Sequence, residues 1–417
     1  MISAFRVFVV TVLAIVANRK SLHSGTPPDW GPRVSVLIPA HNESKVIVSC
    51  IRSILAQSYG DLEVVVVDDG STDGTAPLVK LEFSGDSRVL CVSKPNGGKA
   101  SALNAGIEHA SGDILLCIDA DTQFEPGCVA LMARHFLNPK IGALAGNIRV
   151  GNMVDLLTRT QALEYITSQN LDRLAFSLFG AVTLVPGAIG AFRKSAVLEA
   201  GGYLDDTLAE DFELTCRIRK NGWLVGVEQR AMARTEAPED VASFFKQRTR
   251  WSFGTLQTLW KTRGMLFRHG AFGCLGMPLR VWEFFYYALC LILYIVGAVV
   301  FLIALSEKFL LVTGHSGAFQ PELDEQIQRI FLWFCILMSV EVFQGFVALR
   351  MDKADLKLLL CLPFEALFYR PMIYMTLWRS FWRAAWGQHY AWGYLKRMNS
   401  MKVSRAVITT PVLPASQ

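Results

Sequence analysis

From Arg33 to about Arg263 the apolar residues of this chain switch repeatedly between two patterns. Short unbroken runs, VSVLIPA (Val34–Ala40), LEVVVVDDG (Leu62–Gly70), RVLCVS (Arg88–Ser93) and DILLCIDAD (Asp113–Asp121), are bounded by polar or glycine-containing turns. Runs of that length and bulk predict short buried strands. Between them HNESKVIVSCIRSILAQ, STDGTAPLVKLEF and NGGKASALNAGIEHA carry turn residues and then helical spacing. The alternation predicts an α/β fold, a mostly parallel sheet with helices on both faces. Ligands of such sheets bind at the carboxyl ends of the strands. Here those ends carry Pro39–Glu43, Asp68 and Asp69, Lys94–Lys99, and Asp119–Asp121, so four polar clusters should converge on one rim.

The ends of the chain follow a different pattern. Phe284–Leu305 is a run of 22 residues without a charge, long enough to cross a hydrocarbon core of about 30 Å. Ile330–Leu349 is a second such run, with Glu341 as its one charge. A third, near Leu356–Trp378, is interrupted by Pro363, Glu365 and Arg370-Pro371, and reads as a kinked span, a re-entrant hairpin or an interfacial segment. Ile2–Ala17 is apolar except for Arg6 and lacks a clean small-residue cleavage site, which favours a membrane anchor over a signal peptide. The expected organisation is an anchor (residues 1–20), a linker rich in proline (21–32), a water-facing domain (33–255), an amphipathic stretch (256–283) and apolar segments at 284–305, 330–349 and 356–380. A basic tail (381–417) closes the chain. The acidic loop Glu307–Gln328 suits the outside, and the basic-leaning loop Arg350–Lys357 suits the cytoplasm. Six Arg or Lys and no acidic residue between Arg379 and Arg405 place the tail in the cytoplasm, so the third segment should not cross.

Composition narrows the classes. Apolar residues make up 52% and charged ones 18%, which excludes disorder for most of the length. Forty-one basic against 36 acidic residues give +5, with no basic, aromatic-interleaved stretch, which argues against a nucleic-acid partner. The nine cysteines contain no CxxC pair and read as reduced packing residues.

What chemistry does the rim suit? No G-x-G-x-x-G turn follows the first strand and no G-x-x-x-x-G-K-[ST] occurs, which argues against a dinucleotide and removes a P-loop. Asp119-Ala120-Asp121, read as extended backbone, sets two carboxylates on one side of the chain. Two hard oxygen ligands with open positions suit Mg²⁺ or Mn²⁺ bridging a diphosphate. Asp-x-Asp is also common in surface turns; the apolar strand before it gives it weight. Gln247, Arg250 and Trp251, at i, i+3 and i+4, share one face of a predicted helix.

In order, RVSVLIPAHNE…VVVVDDGSTD (Arg33–Asp73), NGGKASALN (Asn96–Asn104), Asp119–Asp121, Ala209-Glu210-Asp211 and Gln247-Arg248-Thr249-Arg250-Trp251 resemble the motifs of family 2 glycosyltransferases with the GT-A fold. More narrowly, they resemble the processive membrane branch: poly-β-1,6-N-acetylglucosamine, chitin-oligosaccharide, hyaluronan and bacterial cellulose synthases. The resemblance covers Val34–Trp251 motif by motif and the membrane part loosely. It implies that Pro39, Ala40 and Glu43 frame the nucleoside, that Asp69 binds the uracil ring with Asp68 supporting its loop, and that Lys99 lies near the phosphates. It implies metal ligation by Asp119 and Asp121, with Asp119 also against the nucleotide sugar. Asp211 would be the base that takes the acceptor proton. Glu210, Gln247 and Trp251 would bind the acceptor, and Arg250 would serve both acceptor and pyrophosphate. The family's usual Thr-Glu-Asp is here Ala209-Glu210-Asp211, which removes a capping hydroxyl. PGAIGAFR (Pro186–Arg193) resembles the acceptor-entry strand in shape only.

The resemblance points to a multi-pass cell-membrane enzyme with a cytoplasmic catalytic domain. From a UDP-sugar donor, with N-acetylglucosamine preferred, it would build a growing glycan for export through the bilayer. Such a system leaves room for a small regulatory or export membrane partner, as in biofilm polysaccharide synthesis. Glu283, Glu341 and Glu365 are then candidates for a polar conduit, or for ion pairs with Arg280 and Arg370. Two other readings compete: single transfer to a lipid such as diacylglycerol or a polyprenyl phosphate, and a non-catalytic sensor of nucleotide sugars.

Overall fold

The structure is a computed structural model and describes residues 2–22, 31–312, 321–387 and 399–401. Eight strands form one sheet: β1 (Val34–Ala40), β2 (Leu62–Asp69), β3 (Val89–Lys94), β4 (Ile114–Cys117), β5 (Gln123–Phe124), β6 (Ile141–Val150), β7 (Gly190–Arg193) and β8 (Leu224–Thr235). Their spatial order is β3-β2-β1-β4-β7-β6-β8-β5. The first half matches the expected strand–helix alternation, with β3, β2, β1 and β4 all parallel. Beyond β4 the sheet is mixed, because β7 runs antiparallel to both its neighbours and β5 is antiparallel to β8.

Four consecutive valines in β2 show why these runs are buried on both faces. Val64 and Val66 point into one core, and Val65 and Val67 into the other. Side chains alternate along a strand, so an unbroken apolar run is what a doubly covered sheet needs. The helix at Ile47–Leu55 packs into the first core and the helix at Gly98–His109 into the second. β2 and β4 flank β1 on opposite sides, so the order reverses there. The crevice outside the carboxyl ends of β1 and β4 is therefore the switch point where ligands are accommodated.

β4 ends at Cys117, four residues short of the predicted end. Asp119-Ala120-Asp121 is therefore a turn rather than extended backbone, closed by the Thr122 N–H donating to the Asp119 carbonyl at 3.0 Å. The expectation of two carboxylates side by side on a strand is corrected on this point. Of the nine cysteines none is paired, and six are buried.

Among the described residues, three apolar helical segments are long enough to cross a membrane: Phe272–Ile303, Phe331–Met351 and Leu356–Ala385. The N-terminal helix, Ile2–Leu22, packs against the Leu171–Ser177 helix of the α/β unit and against Pro321–Met351, burying Val10, Ala14 and Ala17. The third segment lies along the Val241–Lys261 helix, and Ser380 Oγ donates to the Thr249 carbonyl at 3.3 Å. Asn399–Met401 rest on the same α/β unit, where the Ser400 N–H donates to Glu236 Oε1 at 3.1 Å. Residues 313–320, in the loop read as external, and most of the basic tail lie outside the described residues.

The carboxylates weighed as a conduit are all ion-paired. Arg370 holds Glu341 at 2.5 Å and Glu365 at 3.1 Å, and Glu283 pairs with Arg280 at 3.1 Å and with Arg6.

Candidate active site

At the carboxyl ends of β1 and β2, Ala40 stands beside Asp68 in register. The following loop is tied to the next one: Asn42, at φ 58°, accepts the Thr72 N–H on Oδ1 at 2.8 Å, and the Glu43 N–H donates to Thr75 Oγ1 at 3.0 Å. Asp69 is buried, and its carboxylate accepts from Lys94 Nζ at 2.7 Å and from the Gly97 and Gly98 N–H groups at 3.0 and 2.7 Å. It therefore fixes the glycine turn ahead of Lys99. Asp68 is also buried, and its Oδ1 has no hydrogen-bond partner among the described residues.

Lys99, in the first turn of Gly98–His109, reaches across the rim to Asp119 Oδ1 at 2.5 Å and Glu210 Oε1 at 3.3 Å. Burial pulls its pKa down, but Asp119, Glu210 and Asp211 outweigh burial and hold the ammonium above its ordinary range. Asp121 is buried and accepts from Thr235 Oγ1 at 3.1 Å. The buried Cys50 thiol is pushed up by burial and then by the charges of Asp121, Asp119 and Glu43.

Asp211 sits in the first turn of the Glu210–Lys220 helix, where N–H groups are unpaired and favour a negative charge. Ala209 at the N-cap provides no side-chain hydrogen bond. Asp211 Oδ2 instead accepts the Gly187 N–H at 3.0 Å, and Oδ1 its neighbour Phe212 N–H at 2.8 Å. Burial, then the Glu210 charge, push its pKa up to about 6, with Lys99 and the two N–H groups pulling the other way. A carboxylate so placed is basic enough to accept a proton near neutrality.

Gly187, in the segment read only for its shape, lines the cavity and donates to Asp211, a place that the sequence did not reveal. A Cβ there would lie 2.9 Å from Lys99 Nζ and 3.6 Å from Asp211 Oδ2. Gly187→Ala should wedge the ammonium away from the carboxylates. We expect kcat to fall about ten- to a hundredfold with folding intact, since roughly 1 Å of misplacement costs that much. Steady-state kinetics beside a thermal unfolding curve would check it, and wild-type turnover would refute it.

Helix Val241–Lys261 starts at Asp240, whose carboxylate accepts the Ser243 N–H. Gly254 lets it press onto the Asp211 helix: a Cβ there would meet the Ala209 nitrogen at 2.7 Å. Gln247 is buried with Oε1 lacking a hydrogen-bond partner among the described residues. Trp251 does not present two bare faces, because Arg248 lies 4.4 Å from its ring centroid. Arg248, also missed from sequence, is buried and held by Glu164 at 2.6 Å and by the Tyr369 hydroxyl at 3.0 Å. The salt bridge ties the helix bearing Trp251 to the Leu156–Glu164 helix, and the hydrogen bond ties it to the third apolar segment.

One cavity of about 350 Å³ is lined by Lys99, Asp119, Asp121, Glu210, Asp211, Gln247, Arg250 and Trp251. Pro39, Ala40, Glu43, Asp68 and Asp69 are on the adjoining rim and do not line it. Arg280, Glu283 and Tyr287 of helix Met277–Val312 line it as well. Tyr165–Asn170, a π-helical turn of the kind common at functional sites, brings Tyr165, Ser168 and Gln169 to the same wall.

Residues 35–200 match the profile described as Glycosyl transferase family 2. The chain is 33% identical over 227 residues to the poly-beta-1,6-N-acetyl-D-glucosamine synthase of Staphylococcus aureus strain COL, covering 54% of this chain and 55% of that protein. It is 32% identical over 235 residues to the synthase of the same name from Staphylococcus epidermidis, covering 55% and 57%. The chain thus spans about half the length of the curated relatives it matches. Its fold is similar to that of a mannosyltransferase from Pyrobaculum calidifontis, solved with GDP-Man and Mn²⁺, at 19% identity and TM-score 0.55 over 93% of this chain and 99% of the other. Residues 35–200 are a family 2 glycosyl transferase domain, carried on a GT-A-like α/β fold.

Proposed function

We propose that the protein is a membrane-bound inverting β-glycosyltransferase that polymerises N-acetylglucosamine from a UDP-sugar into an exported polysaccharide. One observation carries this reading: the carboxylates, Arg250 and Trp251 share a cavity that is also lined by Arg280, Glu283 and Tyr287 of the Met277–Val312 helix. A chain extended there grows beside the bilayer, with the donor entering from the cytoplasmic rim. The Leu356–Ala385 segment is then interfacial, which keeps the tail with the catalytic domain, as the Ser400–Glu236 contact supports.

In this reading Asp211 takes the proton of the acceptor hydroxyl as its oxygen attacks C1 of the donor sugar. The bond from C1 to the diphosphate oxygen breaks, its electron pair leaves with UDP, and the configuration at C1 inverts. Lys99 holds Asp119 and Glu210 in place, and Arg250 lines the path of the departing phosphates. Gln247 Oε1, buried beside the cavity, is available to an acceptor hydroxyl.

The donor set fits a divalent cation in part. Asp119 and Asp121 bring hard oxygens to one cavity, and among the described residues no cluster of three His, Cys, Asp or Glu is arranged around an ion. Mg²⁺ and Mn²⁺ suit such a sparse site, because substrate phosphates and water complete their shell. Bound there, the ion would neutralise the diphosphate. Asp121→Ala should weaken UDP binding in Mn²⁺ by about a hundredfold, roughly 2.7 kcal/mol, and leave metal-free binding unchanged. Calorimetry with and without Mn²⁺ reads this; equal loss in both would remove the metal role.

The reading as a whole is tested by incubating purified protein with a panel of radiolabelled UDP-sugars and analysing products by mass spectrometry. A ladder of N-acetylglucosamine oligomers is expected. A single-sugar, chloroform-extractable product as the sole outcome would overturn polymerisation.

A further inference from the structure

Arg173, in the Leu171–Ser177 helix, lines the cavity and is 94% buried, with a relative exposure of 6%. Among the described residues no carboxylate lies within ion-pair distance of it. Its hydrogen-bond partner is neutral: Nη2 donates to Asn170 Oδ1 at 2.5 Å, while Nε has no partner among the described residues. The adjacent acid is already engaged, since Asp172 is held by Arg6 of the N-terminal helix at 2.7 Å, and Arg6 also takes Glu283. Burial, then the charge of Arg280, lower the pKa of Arg173 to about 10, against weaker opposing contributions that include Asp211 and Asp172. Arg280 lines the same cavity, reaches Thr183 Oγ1 at 3.4 Å and shares Glu283, at 3.1 Å, with Arg6.

A buried guanidinium without a counter-charge is unfavourable, and the folded chain on its own gains nothing evident by keeping one. An oxyanion arriving from outside relieves it, and a guanidinium fork suits a phosphate. The surroundings say what else that ligand carries. Phe176, Val182 and Leu184 line the wall around Arg173, and Tyr287 lies on the apolar helix. Asp211, which needs a hydroxyl to deprotonate, is close enough for its charge to act on Arg173.

We propose that Arg173 and Arg280 form a phosphate subsite at the acceptor end of the cavity. Its ligand is an anionic phospholipid whose head group carries a free hydroxyl. The phosphate rests on the two guanidinium groups, the acyl chains leave along the apolar helix, and the head-group hydroxyl faces Asp211. This rests on the proposed reading that the Asp119–Asp121 end takes the donor, and it names the acceptor on which a chain starts.

The test uses the full-length protein in detergent, read by intrinsic tryptophan fluorescence. Probes are dihexanoyl phosphatidylglycerol, dihexanoylglycerol and inorganic phosphate, each titrated with UDP and Mn²⁺ present. The phosphatidylglycerol should bind at least tenfold tighter than either of the others. Arg173→Gln should erase that preference, Arg173→Lys should restore part of it, and UDP affinity should be unchanged in both. Because the charge is unsatisfied without ligand, Arg173→Met should unfold at the same or a higher temperature than the wild type.

Dihexanoylglycerol binding as tightly as the phospholipid would overturn the subsite. Inorganic phosphate binding as tightly would overturn the lipid as its source. A large drop in unfolding temperature for Arg173→Met would assign Arg173 to structure and overturn the proposal as well. Loss of UDP binding in the wild type would instead sink the donor reading, so the two failures are distinguishable.

Discussion

Asp211→Asn should lower kcat by about 10²- to 10⁴-fold, the usual contribution of a general base, while UDP affinity stays near wild type. The substitution keeps the shape and the acceptor capacity toward the Gly187 and Phe212 N–H groups, which now bond to an amide oxygen. It removes only the basicity. The carboxylate form is the active one, and its pKa is raised to about 6, so wild-type activity should rise from pH 5 to pH 7 and level off above. The stability sign is the opposite. A carboxyl whose folded pKa exceeds its ordinary value of 3.8 binds its proton more tightly in the native state. Its contribution to stability is therefore lost as pH rises from about 4 to about 6. Asp211→Asn should remove both pH effects together. Product formation by Asp211→Asn at wild-type rates would show that another group takes the proton.

Much of this site was legible in the sequence because its parts are local. Strand ends are marked by where an apolar run stops, so the clusters at Pro39–Glu43, Asp68-Asp69 and Lys94–Lys99 could be placed on one rim without coordinates. The i, i+3, i+4 spacing of Gln247, Arg250 and Trp251 likewise fixed a shared face before the helix was seen. What stayed hidden depends on contacts between segments far apart in the chain. Gly187 donates to a carboxylate 24 residues away, and Glu164 meets Arg248 across 84 residues. Tyr165–Asn170 has no sequence signal for its π-helical turn, and that turn sets which side of the helix faces the cavity. Arg173 was invisible for a further reason. Asp172, its neighbour in sequence, is taken by Arg6, 166 residues earlier, so the charge balance at Arg173 depends on a distant segment. The short β4 has a similar cause, since an apolar run does not reveal that a turn begins at Asp119.

Removing the Lys99 charge should affect three properties in different directions, which makes Lys99→Met the sharpest probe of the site's electrostatics. Lys99 is the cation between Asp119 at 2.5 Å and Glu210 at 3.3 Å, and it is itself only 13% exposed. Taking one partner from a buried pair leaves uncompensated carboxylates. The fold should lose about 2–3 kcal/mol, below the usual 3–5 because Asp119 keeps some contact with solvent. Asp211 loses a charge that holds its pKa down, so its pKa should rise further and the acidic limb of the pH–rate profile should move to higher pH. Activity at pH 7 should therefore fall, and raising the pH should recover part of it. Divalent-cation affinity should move the other way. Asp119 Oδ1 is freed from its ammonium partner, and the local charge becomes more negative, so Mn²⁺ should bind tighter in the absence of UDP. Weaker Mn²⁺ binding in Lys99→Met, measured by calorimetry, would mean that the lysine organises the ligand carboxylates rather than competing for them. In that case Asp119 in its resting position is not a cation ligand, and Asp121 would hold the ion with the donor's phosphates alone.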